Sequence, residues 1–441
     1  MYKINKVNSW NGWDPLKQVI LGNVFLPEYF EDLADSYLRD KFQQLLYETH
    51  EDLNNIQKTL EDLGVDVVRP HPNSTQYAYL YEQDDDCPTP TTVGEHIRQF
   101  KEQGQQFKLH QAIPKPCLSP RDYLIVLGNK MLVTQNMGGQ QEFFTSENQT
   151  MINPDCMDLR IADEYSKKLG DYALANKLTI GDVKNVKISG PLKLSKEFLN
   201  SHLAMWTKGK NVKDWWDETT NHRFYHDKDF RSAMAMTYGF WAPQITRVGD
   251  TLVIDVSEVT NLDEVILDMY PEFKKANTAI GGHNDGSFNL PKPGLCIAAP
   301  WIDKERFRET LPGWDILQID TPIQMEGDWG SWKDLKHHTQ GKWWLPGIEK
   351  KENTELKNFV DQWLNKWVGY AEETIFEVNM LSVDEKTILS LNYQEEVHAK
   401  LKEHGIEPIY CRFRHRNFWD AGLHCLTVDT VREGGMQNYF D

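Results

Sequence analysis

Four times along this chain, two short apolar runs flank a tight-turn pair. The pairs are Gly128-Asn129 within residues 121–133, Gly249-Asp250 within 244–254, Pro293-Gly294 within 285–299 and Asp384-Glu385 within 379–391. Such a pattern predicts a β-hairpin, because glycine and small polar residues accept the backbone angles of a tight turn while the flanking runs supply strands. A lone hairpin cannot bury its apolar face. Its recurrence predicts a closed, pseudo-symmetric array in which each unit covers the next. Helical stretches at 353–367 and 393–404, the second stopped by Gly405, fall between strands. The opening reads β, α, β: a strand at 17–22, a helix at 37–63 ended by Gly64, and a strand at 65–70. The class is therefore α/β, expected as a single domain over 1–441. Insertions are expected at about 81–116, which is polar and reads as surface, and at 137–240, where 181–193 is strand-like and Trp-rich 206–230 reads as an insertion or lid.

The repeat also carries a functional expectation. Each hairpin opens with a polar side chain several residues before its turn: Asp122, Gln244, Asp285 and Asn379. Around a common axis these would converge on one central pocket with the run that carries Cys425, as a small-ligand site requires. For any one of them alone, satisfying a turn is the more ordinary use.

Cys425 sits in Gly-Leu-His-Cys-Leu-Thr-Val-Asp, a β-like run, and His283 and Asp285 sit in Gly-Gly-His-Asn-Asp-Gly-Ser-Phe-Asn. A thiol needs such company to act as a nucleophile, since an ordinary cysteine is only slightly ionised at neutral pH. The six cysteines are scattered without a Cys-x-x-Cys pair, which fits neither a zinc ribbon nor a disulfide framework. The beginning of the chain shows no apolar signal core and no run is long enough to span a membrane, so a cytoplasmic, reducing setting is expected. With 48 Lys plus Arg against 66 Asp plus Glu, net −18, and no basic stripe, nucleic acid is not an expected partner.

These residues resemble the arginine:glycine amidinotransferases of the guanidino-group-modifying (pentein) superfamily. The resemblance runs nearly end to end: Trp13-Asp14-Pro15-Leu16, Pro120-Arg121-Asp122, Val259-Thr260-Asn261, His283-x-Asp285-x-x-Phe288-Asn289, Gly422-x-His424-Cys425-x-Thr427-x-Asp429-x-x-Arg432, and Gln437-x-Tyr439-x-Asp441. It implies a five-bladed α/β propeller of ββαβ units around a central pocket. It also implies an amidinotransferase that moves the amidino group of arginine, or another guanidino donor, to an amine through an amidino-Cys intermediate. Cys425 would be the nucleophile, His283 the general acid and base, and Asp122 and Asp285 the carboxylates that clamp the guanidinium. Gln244, Trp241, Asn379, Glu373, Arg306 and His424 are the expected substrate-binding residues. No cofactor and no metal are implied; the partners are small molecules, and a homodimer is compatible with these features.

Some positions depart from the family. The chain has Phe240-Trp241-Ala242-Pro243-Gln244 where the family has Phe-Asp-Ala-Ala-Asp, so Trp241 replaces the acid that orients the catalytic histidine. Ile280-Gly281-Gly282 replaces Asn-Pro-Met, and the family's serine pair falls on Glu372 and Glu373. The family's carboxylate-binding arginine has no aligned counterpart, with Lys304 and Arg306 nearest. Alternatives are a guanidino hydrolase or deiminase of the same superfamily, or a guanidino-binding protein without turnover. A metal site of His283, Asp285, His424 and Cys425 is chemically open, but its spacing lacks a zinc precedent, and a guanidinium accounts better for the carboxylates.

Overall fold

The computed structural model describes residues 3–72, 92–102, 113, 115–134, 145–146, 149–161, 240–257, 259–278, 283–319, 354–364, 367–368 and 377–440. The four expected hairpins are all present: Leu124–Leu127 with Lys130–Val133, Ile245–Val248 with Thr251–Asp255, Phe288–Lys292 with Leu295–Ala298, and Leu381–Asp384 with Thr387–Ser390. Gly128, Gly249 and Gly294 turn three of them with φ of +61°, +67° and +79°, angles that a side chain would strain. In the fourth, Asp384 Oδ1 accepts the Lys386 N–H at 2.8 Å, so a side chain shapes the turn.

Each hairpin is followed by a third strand parallel to its second. Three of these crossovers run through helices Leu262–Met269, Lys304–Thr310 and Glu395–Glu403 to strands Lys274–Thr278, Asp315–Gln318 and Glu407–Tyr410. The remaining hairpin pairs with the short strand Met157–Asp158. A fifth unit is assembled from both ends of the chain. Thr427–Arg432 lies antiparallel to Leu16–Leu21, which pairs in parallel with Asp66–Val68 after helix Ser36–Asp62. That helix is capped by Asp35, whose carboxylate accepts the Leu38 N–H at 3.1 Å, and Gly64 follows it at φ +81°. It buries Leu38, Phe42, Leu45, Leu53, Ile56 and Leu60, a helical stripe packed on its own sheet.

Side-chain bonds to backbone carbonyls join the units into a ring. Arg121 Nε donates to Thr427 O (2.9 Å), Arg247 Nη1 to Val126 O (2.9 Å), and Asn284 Nδ2 to Gln244 O and Val253 O (both 3.1 Å). Asn289 Nδ2 donates to Met380 O (2.9 Å), and Arg432 Nη2 to Ser382 O (2.9 Å). The fold is thus a five-unit α/β propeller. The polar reading of 81–116 changes in part: helix Val93–Glu102 buries Val93 and His96, and Tyr29 Oη lies 2.6 Å from His96 Nδ1. Ile113 is also buried, its N–H donating to Trp363 O at 2.6 Å. The sequence signals at 181–193 and 206–230 lie outside the described residues. No helix among the described residues is long and apolar enough to cross a membrane.

Asp429 lies at the centre of the ring, fully buried, and takes bonds from three units. Arg121 Nη2 reaches Oδ1 at 2.6 Å, Arg247 Nη2 reaches Oδ1 at 2.9 Å and Oδ2 at 2.7 Å, and Arg432 Nε reaches Oδ2 at 2.7 Å. Ser9 Oγ adds a bond at 2.8 Å. Burial alone would raise the carboxyl's pKa, but Arg247, Arg121 and Arg432 hold it well below its ordinary value. Asp429→Asn would leave three buried guanidiniums without their anion. It should lower the free energy of unfolding by about 3–5 kcal/mol, read by denaturant titration. Because the carboxyl's pKa is lower in the folded chain than in the unfolded one, its contribution is complete above the unfolded value and fades as pH falls through the folded one. The gap between wild type and variant should therefore close only below about pH 4. A gap of the same size at pH 7 and in strong acid would contradict this.

Candidate active site

Cys425 occupies a compact turn, not the strand that its apolar run predicts. Leu426 N–H donates to Gly422 O and Thr427 N–H to His424 O, both at 3.1 Å, and the strand begins only at Thr427. Thr427 Oγ1 also donates to Leu423 O at 2.8 Å, so local side-chain bonding outcompetes extension of the strand here. Gly422 permits the turn's position: a Cβ there would sit 2.3 Å from Asn379 side-chain atoms.

Around the thiol, three of the expected residues meet. Asn379 Nδ2 lies 3.0 Å from Cys425 Sγ and 3.0 Å from Asp285 O, and Asn379 Oδ1 accepts the Cys425 N–H at 3.0 Å. Asp285 Oδ2 lies 3.4 Å from Sγ and takes a bond from His424 Nδ1 at 2.8 Å. Asp285 Oδ1 is buried and has no hydrogen-bond partner among the described residues. A buried carboxylate oxygen left open costs free energy unless a donor reaches it.

The thiol and its neighbours are in electrostatic tension. Burial pushes the Cys425 thiol well above its ordinary pKa, and the negative charges of Asp285 and Asp122 push it further, opposed by the Asn379 amide. Asp285 goes the other way. Burial would raise its carboxyl, but the His424 bond and the nearby His283 and Arg121 outweigh this and keep it ionised. Burial and the Arg121 charge lower the His424 imidazole, which is therefore neutral at pH 7 and donates its Nδ1–H to Asp285. At rest the site is a protonated thiol beside carboxylates, with a place for a cation.

The other expected residues fall as follows. Asp122 ends the helical turn Pro120–Asp122 and is near enough for its charge to act on the thiol. His283 stands at the start of the turn Asn284–Ser287, its ring 5.5 Å from the Trp241 ring and tilted by 54°. Trp241 therefore packs on the histidine where the family has a carboxylate. Gln244 is fully buried, and its side-chain oxygen accepts the Trp241 N–H at 3.0 Å. Arg306 is exposed on helix Lys304–Thr310, apart from this cluster, with its N–H bonded to Asp303. Glu373 lies outside the described residues.

The sequence reading gave no role to the buried arginines. A cavity of about 50 Å³ is lined by residues of all five units, among them Arg121, Arg247, Asp285, Ser382, His424 and Asp429. The available signal was the strand Thr427–Arg432, where Asp429 and Arg432 interrupt an apolar run. Charges in such a run stand out, because buried ones must be paired.

No family model matches the chain. Chicken (Gallus gallus) mitochondrial glycine amidinotransferase is 22% identical over 467 residues, covering 99% of this chain and 85% of that protein. The L-arginine:L-lysine amidinotransferase of Pseudomonas savastanoi pv. phaseolicola is 24% identical over 207 residues, 45% of this chain and 46% of that one. Among solved structures, an amidinotransferase of saxitoxin biosynthesis from Microseira wollei superposes with a TM-score of 0.51 at 18% identity, covering 98% of this chain and 99% of that one. Inosamine-phosphate amidinotransferase of Streptomyces griseus gives 0.50 at 16% identity, covering 99% of each chain. The chain is thus similar along its whole length to glycine amidinotransferases, and its ring of five α/β units is the fold it shares with these two solved amidinotransferases.

Proposed function

We propose that this protein moves an amidino group from arginine, or a similar guanidino donor, to an amine acceptor, carrying it on Cys425. The observation that bears most of the weight is the open, buried Oδ1 of Asp285 beside a thiol that burial and two carboxylates keep protonated. A guanidinium answers both conditions. Its N–H groups would satisfy Asp285 Oδ1, and its positive charge would offset the negative charges of Asp285 and Asp122 and lower the thiol's pKa. The relatives named for glycine and for arginine and lysine support arginine as donor and an amine as acceptor. The free thiols of the described cysteines accord with a reducing, cytoplasmic setting.

In the proposed cycle the thiol proton passes to His283 and the Cys425 thiolate attacks the guanidinium carbon, forming a C–S bond. The C–N bond to the departing amine then breaks as His283 returns that proton to it, leaving an S-amidino cysteine. An acceptor amine attacks the same carbon, His283 takes its proton, and the C–S bond breaks as that proton passes to the Cys425 sulfur, restoring the thiol. Asp122 and Asp285 stay ionised throughout and stabilise the positive charge as it shifts. His424 assists by holding Asp285 in place with one oxygen left over. Trp241 can support a protonated His283 only through its ring face, a weaker aid than the carboxylate it replaces.

Intact-mass spectrometry after incubation with arginine should show one added amidino group, on Cys425 in the wild type and absent from Cys425→Ala. Added amines should then discharge it faster than buffer alone. Discharge by water at the same rate would make the protein a hydrolase, and no adduct from any guanidino compound would reduce it to a binding protein. A second expectation separates the two duties of Asp285. Asp285→Asn removes a negative charge beside the thiol, so iodoacetamide should label Cys425 of the free protein about tenfold faster at neutral pH, a shift of about one pKa unit. The same variant should no longer form the amidino adduct. Slower labelling would contradict the assigned electrostatics.

A further inference from the structure

We propose that Asn379 is the thiolate-binding group of this site, a fixed amide donor that stabilises ionised Cys425, and not a substrate contact. The inference rests on Cys425 being the nucleophile. Its geometry leaves little freedom. The Cys425 backbone N–H can only donate, so the Asn379 atom 3.0 Å from it must be the amide oxygen. The Asp285 backbone carbonyl can only accept, so the Asn379 atom 3.0 Å from it must be the amide nitrogen. Turning the amide over would place two donors together and two acceptors together. With one hydrogen given to Asp285 O, the other points to Sγ at 3.0 Å.

The side chain is held there on all sides. Asn379 is fully buried, its carbonyl accepts the Leu423 N–H at 3.0 Å, and Gly422 packs against its side chain with no room for a methyl group. Both amide hydrogens and the amide oxygen are thus engaged within the protein, which leaves no donor for a ligand. A neutral thiol is a weak acceptor, whereas a thiolate accepts strongly, so this bond gains strength as the proton leaves. Asn379 is a donor facing a sulfur that Asp285 and Asp122 otherwise keep from ionising. It would therefore hold the thiolate from the moment its proton leaves until the C–S bond forms, and it ties the position of Sγ to the backbone of Asp285.

The test is the pH dependence of Cys425 alkylation by iodoacetamide in the free protein, read at the Cys425 peptide, with thermal melting to confirm the fold of each variant. This needs no donor, so it succeeds or fails independently of amidino transfer. Asn379→Ser should move the profile up by about one to two pH units, since a hydrogen bond to a charged group is lost. Asn379→Asp, with the same shape, should move it further by adding a third carboxylate. Gly422→Ala, which displaces the amide without changing it, should move it in the same direction. An unchanged profile in every folded variant overturns the proposal. A crystal structure of the wild type at a pH where Cys425 is ionised gives an arm that needs no variant. The amide nitrogen should lie within hydrogen-bonding distance of Sγ, and an amide turned away from the sulfur overturns the proposal.

Discussion

Three arginines from separate parts of the ring share one carboxylate, Asp429, and the rest of the molecule is arranged around that bond set. The remaining arms of the same guanidiniums hold the carbonyls of Thr427, Val126, Ser382 and Asp14. One buried anion therefore fixes the register between units that pair no strands with one another. It also governs the chemistry at a distance. Arg121 immediately precedes Asp122, grips the backbone two residues beyond Cys425, and through its charge favours ionised Asp285 and neutral His424. The element that closes the propeller is continuous with the one that sets the site's protonation state.

The cluster around Cys425 is a managed conflict. Two carboxylates beside a buried thiol oppose its ionisation, and a carboxylate oxygen without a partner is a standing cost in a closed interior. Such an arrangement is stable enough to fold because the cluster is small beside the four apolar clusters of the described residues. In the proposed function a single planar cation would relieve every part of it. The same features that make the free site inert would confer selectivity: a ligand without a guanidinium-like charge would leave the thiol protonated. Neutral His424, which occupies one oxygen of Asp285, narrows the clamp to the other.

Much of this was legible in the sequence, for identifiable reasons. Hairpins announce themselves locally: Gly128, Gly249 and Gly294 are needed by turns whose flanking strands are apolar on sight. The convergence of Asp285 and Asn379 with Cys425 followed from the repeat alone, because equivalent strand ends in a ring must meet. What escaped were properties of side-chain competition in three dimensions. The run at Cys425 has the composition of a strand, yet Thr427, Asn379 and Gly422 together fold it into a turn. Asn379 looked like a pocket-lining polar group, but every bond it makes is internal. Arg306, chosen for its nearness in sequence to a missing family arginine, stands exposed on an outer helix. The fifth unit, made from the two ends of the chain, has no hairpin to reveal it.

In the proposed function the Cys425 thiol stays protonated until a guanidinium occupies the site. A titration of the wild-type thiol, followed by its thiolate absorbance against a Cys425→Ala baseline, tests this directly when run with and without millimolar guanidinium ion. The ionisation midpoint should lie above that of an ordinary cysteine in the free protein and shift clearly downward when the cation is present. A midpoint already near neutrality without the cation, or one that the cation leaves unmoved, would contradict it.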